Sequence, residues 1–499
     1  MEGKTKAGFI FISISLFFFA GVLFFISIQE YQKQSQIIPS DSTIGPFSIG
    51  ELEISQALVE PKTFFQQPVM LSYQDQLIQV SPEIFDFHLD LNSLESDLKS
   101  QMENIYSNKN FFPYLFGKFH AEPIHLELKM SWSQQKIRDY LINEIVPRYD
   151  KPAKAKQPIL NGSGFLAGEF GFALDIDSSI QTIEKALVSV ESRFAVLSVT
   201  RIDEPKAIIN NLETQLKQLI DQIQEQGQIT EVVLIDPSTG DTFDFARQNQ
   251  KDVPPEISFT AASTIKIPIM ISSFRIMDEE PDATTKKQLS LMITESKNEQ
   301  TDWMMENIIG GNLAPLTVTD DMRKLGYKNI FLAGYFYLGA PLLDIIETPA
   351  NTRTDINLKP DMYNQTTAKD MTNLLFDLYQ CSQDGSGKLT EVFPKKITQT
   401  ECSSMIDLLK RNHLPYLISA GVPDGTVVAH KHGWIEESDG LLHTMSNVGI
   451  VYTPNGDYIL GIYTYHPENL IFEEGNKLFT QISAAVYGYF VPISEKSSE

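Results

Sequence analysis

Residues 259–274 read FTAASTIKIPIMISSF, and one serine and one lysine in this apolar run decide how the rest of the chain is read. Ser263 and Lys266 stand three residues apart, so a helix starting near Ser263 carries both side chains on one face. The N-terminus of that helix favours negative charge developing on the serine Oγ. A lysine beside it can take the hydroxyl proton once burial lowers its pKa. Ala261 and Ala262 leave room for close approach of backbone. By itself Ser-x-x-Lys is a common pattern, most often a helix cap followed by a surface lysine. Here Ile265, Ile267, Pro268, Ile269, Met270 and Ile271 surround Lys266, and an unpaired lysine in such a helix is costly. The pair reads as a nucleophile and its base.

Working outward, the segment 208–227 (IINNLETQLKQLIDQIQEQG) has Leu212, Leu216, Leu219, Ile220 and Ile223 on one helical stripe. Two strand patterns follow it, EVVLIDPSTG at 231–240 and DTFDFAR at 241–247. Three more lie near the end: TVVAHKHGW at 426–434, SNVGIVYT at 446–453 and DYILGIYTY at 457–465, the last two joined by a Pro-Asn-Gly-Asp turn. The region between the two strand sets is mostly helical. Strands from both ends of one domain predict an α+β fold, an antiparallel sheet packed against a helical block over residues 205–493.

The 499 residues exceed a single ordinary core. Residues 47–204 alternate strand-like runs (PVMLSY, AVLSVT) with a helical one, SSIQTIEKALVSV, and predict a smaller first α+β domain. The Phe-rich stretch 110–119 is expected in that domain's core. Ala7 to Ile28 carries no charge; 22 helical residues reach roughly 33 Å and can cross a bilayer. Lys4 and Lys6 precede this run and Glu30 follows it, which places the N-terminus in the cytoplasm and the rest outside. A cleaved signal peptide is the alternative, although no Ala-x-Ala site follows. Residues 1–28 are thus a cytoplasmic tip and membrane anchor, 29–46 a polar stalk and 494–499 a tail.

The net charge of −24 argues against nucleic acid and anionic lipid as partners. Cys381 and Cys402 flank a segment whose Gly and Pro content suits a loop closed by a disulfide; two buried free thiols are the other possibility. His430 and His432 share a strand face with no carboxylate or cysteine at ligand spacing, so no metal is expected there.

AASTIK followed by IPIM resembles the nucleophile motif of class A β-lactamases and the related D,D-peptidases, the penicillin-recognising serine hydrolases. Three further segments resemble that family's motifs in its order. MITESKNEQTDWMM (292–305) aligns Ser296 and Asn298 with its Ser-x-Asn, with Lys297 where Asp is usual. NQTTAKDMTNLLFDLY (364–379) resembles the Thr-Thr segment after its omega loop, and VVAHKHGW (427–434) its Lys-[Thr/Ser]-Gly strand. The resemblance covers roughly residues 206–493 and implies specific roles. Ser263 attacks an amide or lactam carbonyl with Lys266 as general base. Ser296 relays a proton to the leaving nitrogen, and Lys431 supports it and attracts a substrate carboxylate. Asn298 holds the substrate amide, His432 and Gly433 lie along the substrate edge, and the Ser263 N–H with one just after Gly433 forms the oxyanion hole. The implied partner is a β-lactam or a peptidoglycan stem peptide, and no cofactor is implied.

The departures from the family pattern are equally informative. The spacing from Ser263 to Ser296 is shorter than usual, and His432 replaces a hydroxyl. In the omega loop the nearest register puts Arg353 where the water-activating Glu should stand, with Asn357 at the asparagine. Glu347 has the right spacing to Asn351, in a longer loop, and is the remaining candidate base. Without such a base the acyl-enzyme is expected to be long-lived. A D,D-peptidase-like or non-hydrolytic penicillin- or wall-fragment-binding sensor is the alternative reading. In the first domain, DFHLD (86–90), PRYD (147–150) and FLAGEFGFALDIDSSIQTIEKAL (165–187) resemble the peptidoglycan-binding domain that precedes some L,D-transpeptidases.

Overall fold

The computed structural model describes residues 2–159, 164–205, 209–277, 280–437 and 439–493; the tail 494–499 lies outside them. Two compact units result, one of Met1–Lys154 with Phe170–Glu204, the other of Ala155–Glu169 with Pro205–Glu499. The reading of 47–204 as one unbroken domain is corrected at Ala155–Glu169. That segment joins the second unit because Phe165 is buried against Tyr489, ring centroids 5.2 Å apart, and its carbonyl accepts from Ile493 N–H at 2.8 Å.

In the first unit a single helix runs from Glu2 to Gln34, with exposed apolar side chains from Ile10 to Ile26. It is long and apolar enough to cross a membrane. The expected stalk is not a free linker. Thr43–Ile44 pairs with Phe47–Ser48 and His125–Leu126, and Ile38, Ile44 and Ile49 are buried with Leu94, Leu98 and Met102. Burying each such isoleucine is worth about 1.5–3 kcal/mol, enough to fold a segment that reads as polar. The Phe-rich stretch also departs from expectation. Its helix, Asn108–Leu115, buries none of its residues in a core; Phe111 instead packs on Phe24 and Tyr31 at 5.6 and 5.3 Å. The true core sets Val69, Leu71 and Tyr73 of one strand against Ile180, Ile183, Ala186 and Leu187 of the helix Ile176–Val188, the face its periodicity predicts.

The second unit is built on a six-stranded antiparallel sheet. Its spatial order is Lys251–Val253, Thr242–Gln248, Ile229–Ile235, Tyr458–Tyr465, Leu442–Val451 and Val428–Glu436. First and last strand sets meet where Ile229–Ile235 pairs with Tyr458–Tyr465. Because strand side chains alternate, Val233 and Ile235 face a large helical block while Val232 and Leu234 face the opposite layer. That opposite layer is the stripe Leu212, Leu216, Ile220 with the helix Phe472–Phe490, so helices cover both faces of the sheet and not one. Inside the helical block lies Lys266–Ile276, buried from Lys266 to Phe274. A small sheet of Phe259–Thr260, Asn364–Thr366 and Phe331–Leu332 ties the nucleophile segment to the ends of the 333–363 connection. Cys381 and Cys402 form a disulfide, Cα atoms 5.9 Å apart. It joins the helices Ala368–Asp384 and Gln399–Lys410, not the ends of a bare loop.

Candidate active site

The strand Phe259–Thr260 passes into a short 3-10 turn, Ala262–Ile265, and then into the buried helix. Ala262 has φ 47°, a left-handed conformation that is uncommon outside glycine, and this sharp bend leads into Ser263. Ser296, between two helices, is also left-handed, with φ 59°. Both its hydroxyl and its carbonyl thereby reach Lys266.

Lys266 Nζ lies 2.9 Å from Ser263 Oγ, 3.2 Å from Ser296 Oγ, 2.6 Å from Ser296 O and 2.8 Å from Asn298 Oδ1. Four acceptors exceed the three protons of an ammonium. Two of them, the Ser296 carbonyl and the Asn298 amide oxygen, can only accept. A neutral amine donates to those two and leaves its lone pair for a hydroxyl proton. Burial pushes the Lys266 pKa down to about 7, against the opposing charge of Asp302, so the neutral form is accessible near neutral pH. Lys431, fully buried, donates to Ser296 Oγ at 2.8 Å and to the His432 carbonyl at 3.1 Å. Burial holds its pKa well below the ordinary lysine value, and the neighbouring Lys266 adds to this. Ser263, Lys266, Ser296 and Lys431 thus form one continuous hydrogen-bonded chain.

That chain underlies a cavity of about 380 Å³ that opens over Ser263 and Asn298. Gly433 stands against the Ser263 turn: a Cβ there would lie 2.8 Å from Ser446 Oγ, 2.9 Å from the Ala261 carbonyl and 3.0 Å from the Ser263 nitrogen. Residues 275–490 match the model of the Beta-lactamase enzyme family; the match begins after Ser263 and Lys266, which the geometry alone connects to it. Among solved structures, a PBP-A mutant in its acyl-enzyme complex with penicillin G is 20% identical, with 57% of this chain and 98% of that one covered and a TM-score of 0.40. A β-lactamase from Sphaerobacter thermophilus is 18% identical over 57% and 98% of the two chains, also at 0.40. The class A β-lactamase from Mycobacterium abscessus is 17% identical over 56% and 99%, again at 0.40. No curated protein sequence matches the chain.

Two expected residues stand elsewhere in this unit. His432 does not line the cavity. Its ring stacks on Trp434 at 4.6 Å and lies 3.4 Å from the Asn412 amide, and burial, with the charges of Lys431, His430 and Lys266, drives its pKa down to about 2. It is a packed neutral imidazole on the strand face away from Lys431. His430 beside it bonds Ser419 and Asn447, while His443 faces Asp439 and the His466 carbonyl. Glu347 is exposed and does not line the cavity, because Asn351 bonds Thr348 N, Ile346 O and Gln365 Oε1 and closes the loop with the acid outside. Arg353 is no substitute: it pairs with Asp355 and donates to the Pro254, Pro255 and Glu256 carbonyls. Sequence reasoning missed Asp361 and Asn364, both of which line the cavity. Their polar DMYN run just before Thr366-Thr367 was the available signal.

Proposed function

We propose that the chain is a membrane-anchored, extracytoplasmic serine acyl-enzyme that opens a β-lactam or cleaves a peptidoglycan-type amide through Ser263. The observation that carries this reading is the Ser263–Lys266–Ser296–Lys431 chain of hydrogen bonds. Lys266 takes the Ser263 proton as the Oγ–carbonyl bond forms. The C–N bond breaks as Ser296 passes a proton to the leaving nitrogen, and Lys266 resupplies Ser296. Backbone N–H groups of Ser263 and of the strand after Gly433 receive the oxyanion, and Lys431 holds Ser296 in place through its hydrogen bond to Oγ. Release of the acyl group is slow, since Glu347 is exposed and Arg353 is engaged elsewhere; a missing general base costs about 10²–10⁴-fold. That favours the peptidase or sensor reading over a fast β-lactamase. Labelling of the intact chain with a fluorescent penicillin, lost in Ser263→Ala, tests the proposal. No labelling of the wild type would sink it.

The anchor reading draws on the exposed apolar helix and on the helix Asn108–Leu115, whose Phe112, with Phe116 just after its end, is exposed beside the Phe24–Phe111 contact, as suits residues covered by lipid. Carbonate extraction of membranes, with protease access to the second unit from outside only, checks location and topology together. The first unit is read as wall-binding from its motif resemblance, and co-sedimentation with purified peptidoglycan tests that separately.

A further inference from the structure

The cavity over Ser263 has an electrostatic character that the acyl-enzyme chemistry does not require. Among the described residues, Asp361 is the only charged one lining it, with no lysine or arginine. The rest of the wall is notably aromatic: Tyr335, Tyr337, Tyr363 and Trp434. Asp361 is fixed by its own turn, which places it against the nucleophile strand. Its backbone N–H donates to Thr260 Oγ1 at 2.9 Å, and its carboxylate accepts from Tyr363 N–H at 2.9 Å and from Asn364 Nδ2 at 3.1 Å. Burial raises its pKa, against the hydrogen bond from Tyr363 N–H. Glu437 is raised by burial and further by Asp439 and Asp361, against His443, so a second acid shares this field.

Asn364 supplies the independent observation. Its side chain is 7% exposed, and its Oδ1 is a buried acceptor with no hydrogen-bond partner. The amide orientation is set, because only Nδ2 can donate to the Asp361 carboxylate. Leaving such an acceptor unpaired is expensive, and Asn364 is among the residues lining the cavity over Ser263, with its backbone carbonyl accepting from Ala261 N–H at 3.3 Å. A carboxylate with spare lone pairs, an unpaired amide oxygen and aromatic faces together suit a protonated amine, which donates several N–H bonds and is attracted to ring faces. Two side-chain acceptors are too few for a calcium ion, which takes six to eight oxygens.

We infer that Asp361 and Asn364 form a subsite for a protonated amine carried by the substrate close to the carbonyl that Ser263 attacks. The inference rests on the acyl-enzyme reading and narrows its substrate class: the group acylating the serine bears a cationic nitrogen.

Benzylpenicillin and ampicillin differ by one amino group, which is charged below about pH 7 to 8. Their second-order acylation rates on the intact chain near pH 6.5 test the subsite. Ampicillin should react about tenfold faster, the scale of one charge-assisted hydrogen bond. The ratio should fall to about one in Asp361→Asn and to an intermediate value in Asn364→Leu, with far-UV circular dichroism reporting the fold of each. Equal rates in the wild type overturn the subsite whether or not either variant folds. A ratio that survives in Asp361→Asn, with slower release of hydrolysed product, also overturns it and makes Asp361 the water-activating base. Acylation by neither compound removes the acyl-enzyme reading itself, and the subsite with it.

Discussion

Gly433 and Ser263 are in backbone contact: a Cβ at 433 would come within 3.0 Å of the Ser263 nitrogen. The Ala261 carbonyl stands as close, at 2.9 Å, and although Ser446 Oγ at 2.8 Å belongs to a side chain, the other two neighbours are backbone and cannot swing away. Gly433→Ala must therefore shift the nucleophile turn or the strand Val428–Glu436. Displacing a reacting group by a fraction of an ångström to an ångström costs about 100-fold. Penicillin acylation should fall by that order while the circular dichroism spectrum is retained. An unchanged rate would show slack between strand and nucleophile.

On the proposed mechanism, Lys266 sets the pH dependence of acylation. With its pKa lowered to about 7, the neutral amine is the minor form below that value and the major form above it. The acylation rate should rise about tenfold per unit up to pH 7 and then level off. A flat profile between pH 5 and 9 would remove Lys266 as the base.

Glu347 should be irrelevant to turnover. Steady-state hydrolysis of a chromogenic cephalosporin is expected to be slow and to stay equally slow in Glu347→Gln. Fast turnover that disappears in this variant would mean that the loop closed by Asn351 adopts another arrangement during the reaction.

The Cys381–Cys402 bridge joins two helices across 21 residues of sequence. Replacing both cysteines by serine should lower unfolding stability by about 3 kcal/mol on a loop-entropy basis, measurable in urea. A loss near zero would mean that the helix packing alone holds this end of the block.

Asp244 is buried beside Glu231, and burial raises its pKa to about 6, with Lys369 opposing and Glu256 reinforcing. The folded state therefore holds a proton on Asp244 more tightly than the unfolded state. The stability this contributes is present below about pH 4 and is lost as pH rises through about 6. Asp244→Asn should raise stability above pH 7 by about 1–2 kcal/mol, a gain that fades on acidification. Thermal melts at pH 4.5 and 7.5 compare the two chains; a gain independent of pH would contradict the assignment.

Much of this protein was legible in its residues. The helical stripe Leu212, Leu216 and Ile220 lies on the buried face its period predicts, and the Pro-Asn-Gly-Asp turn joins the strands that end at Val451 and begin at Tyr458. The stalk was misread because Ile38, Ile44 and Ile49 are separated by polar residues and show no period. The helix Asn108–Leu115 was assigned to a core because its phenylalanines carry no sign of which apolar surface they meet.

By itself the sequence singled out Ser263, Lys266, Ser296 and Lys431, the four residues that the structure brings into one hydrogen-bonded chain. Each sits in a segment whose own pattern of apolar residues or turns defines it, and four such segments in order constrain one another. It also determined the long apolar N-terminal helix, since length and composition suffice for that. Only the tertiary structure decided which residues of the 333–363 connection face the cavity. That stretch has neither a helical nor a strand period, so nothing local says which way a side chain points. Glu347 turns outward because Asn351 closes the loop beneath it, and Asp361 turns inward because its amide is held by Thr260, about a hundred residues earlier in the chain. Contacts made across such sequence distances have no local signature, and they set the chemistry of the cavity wall.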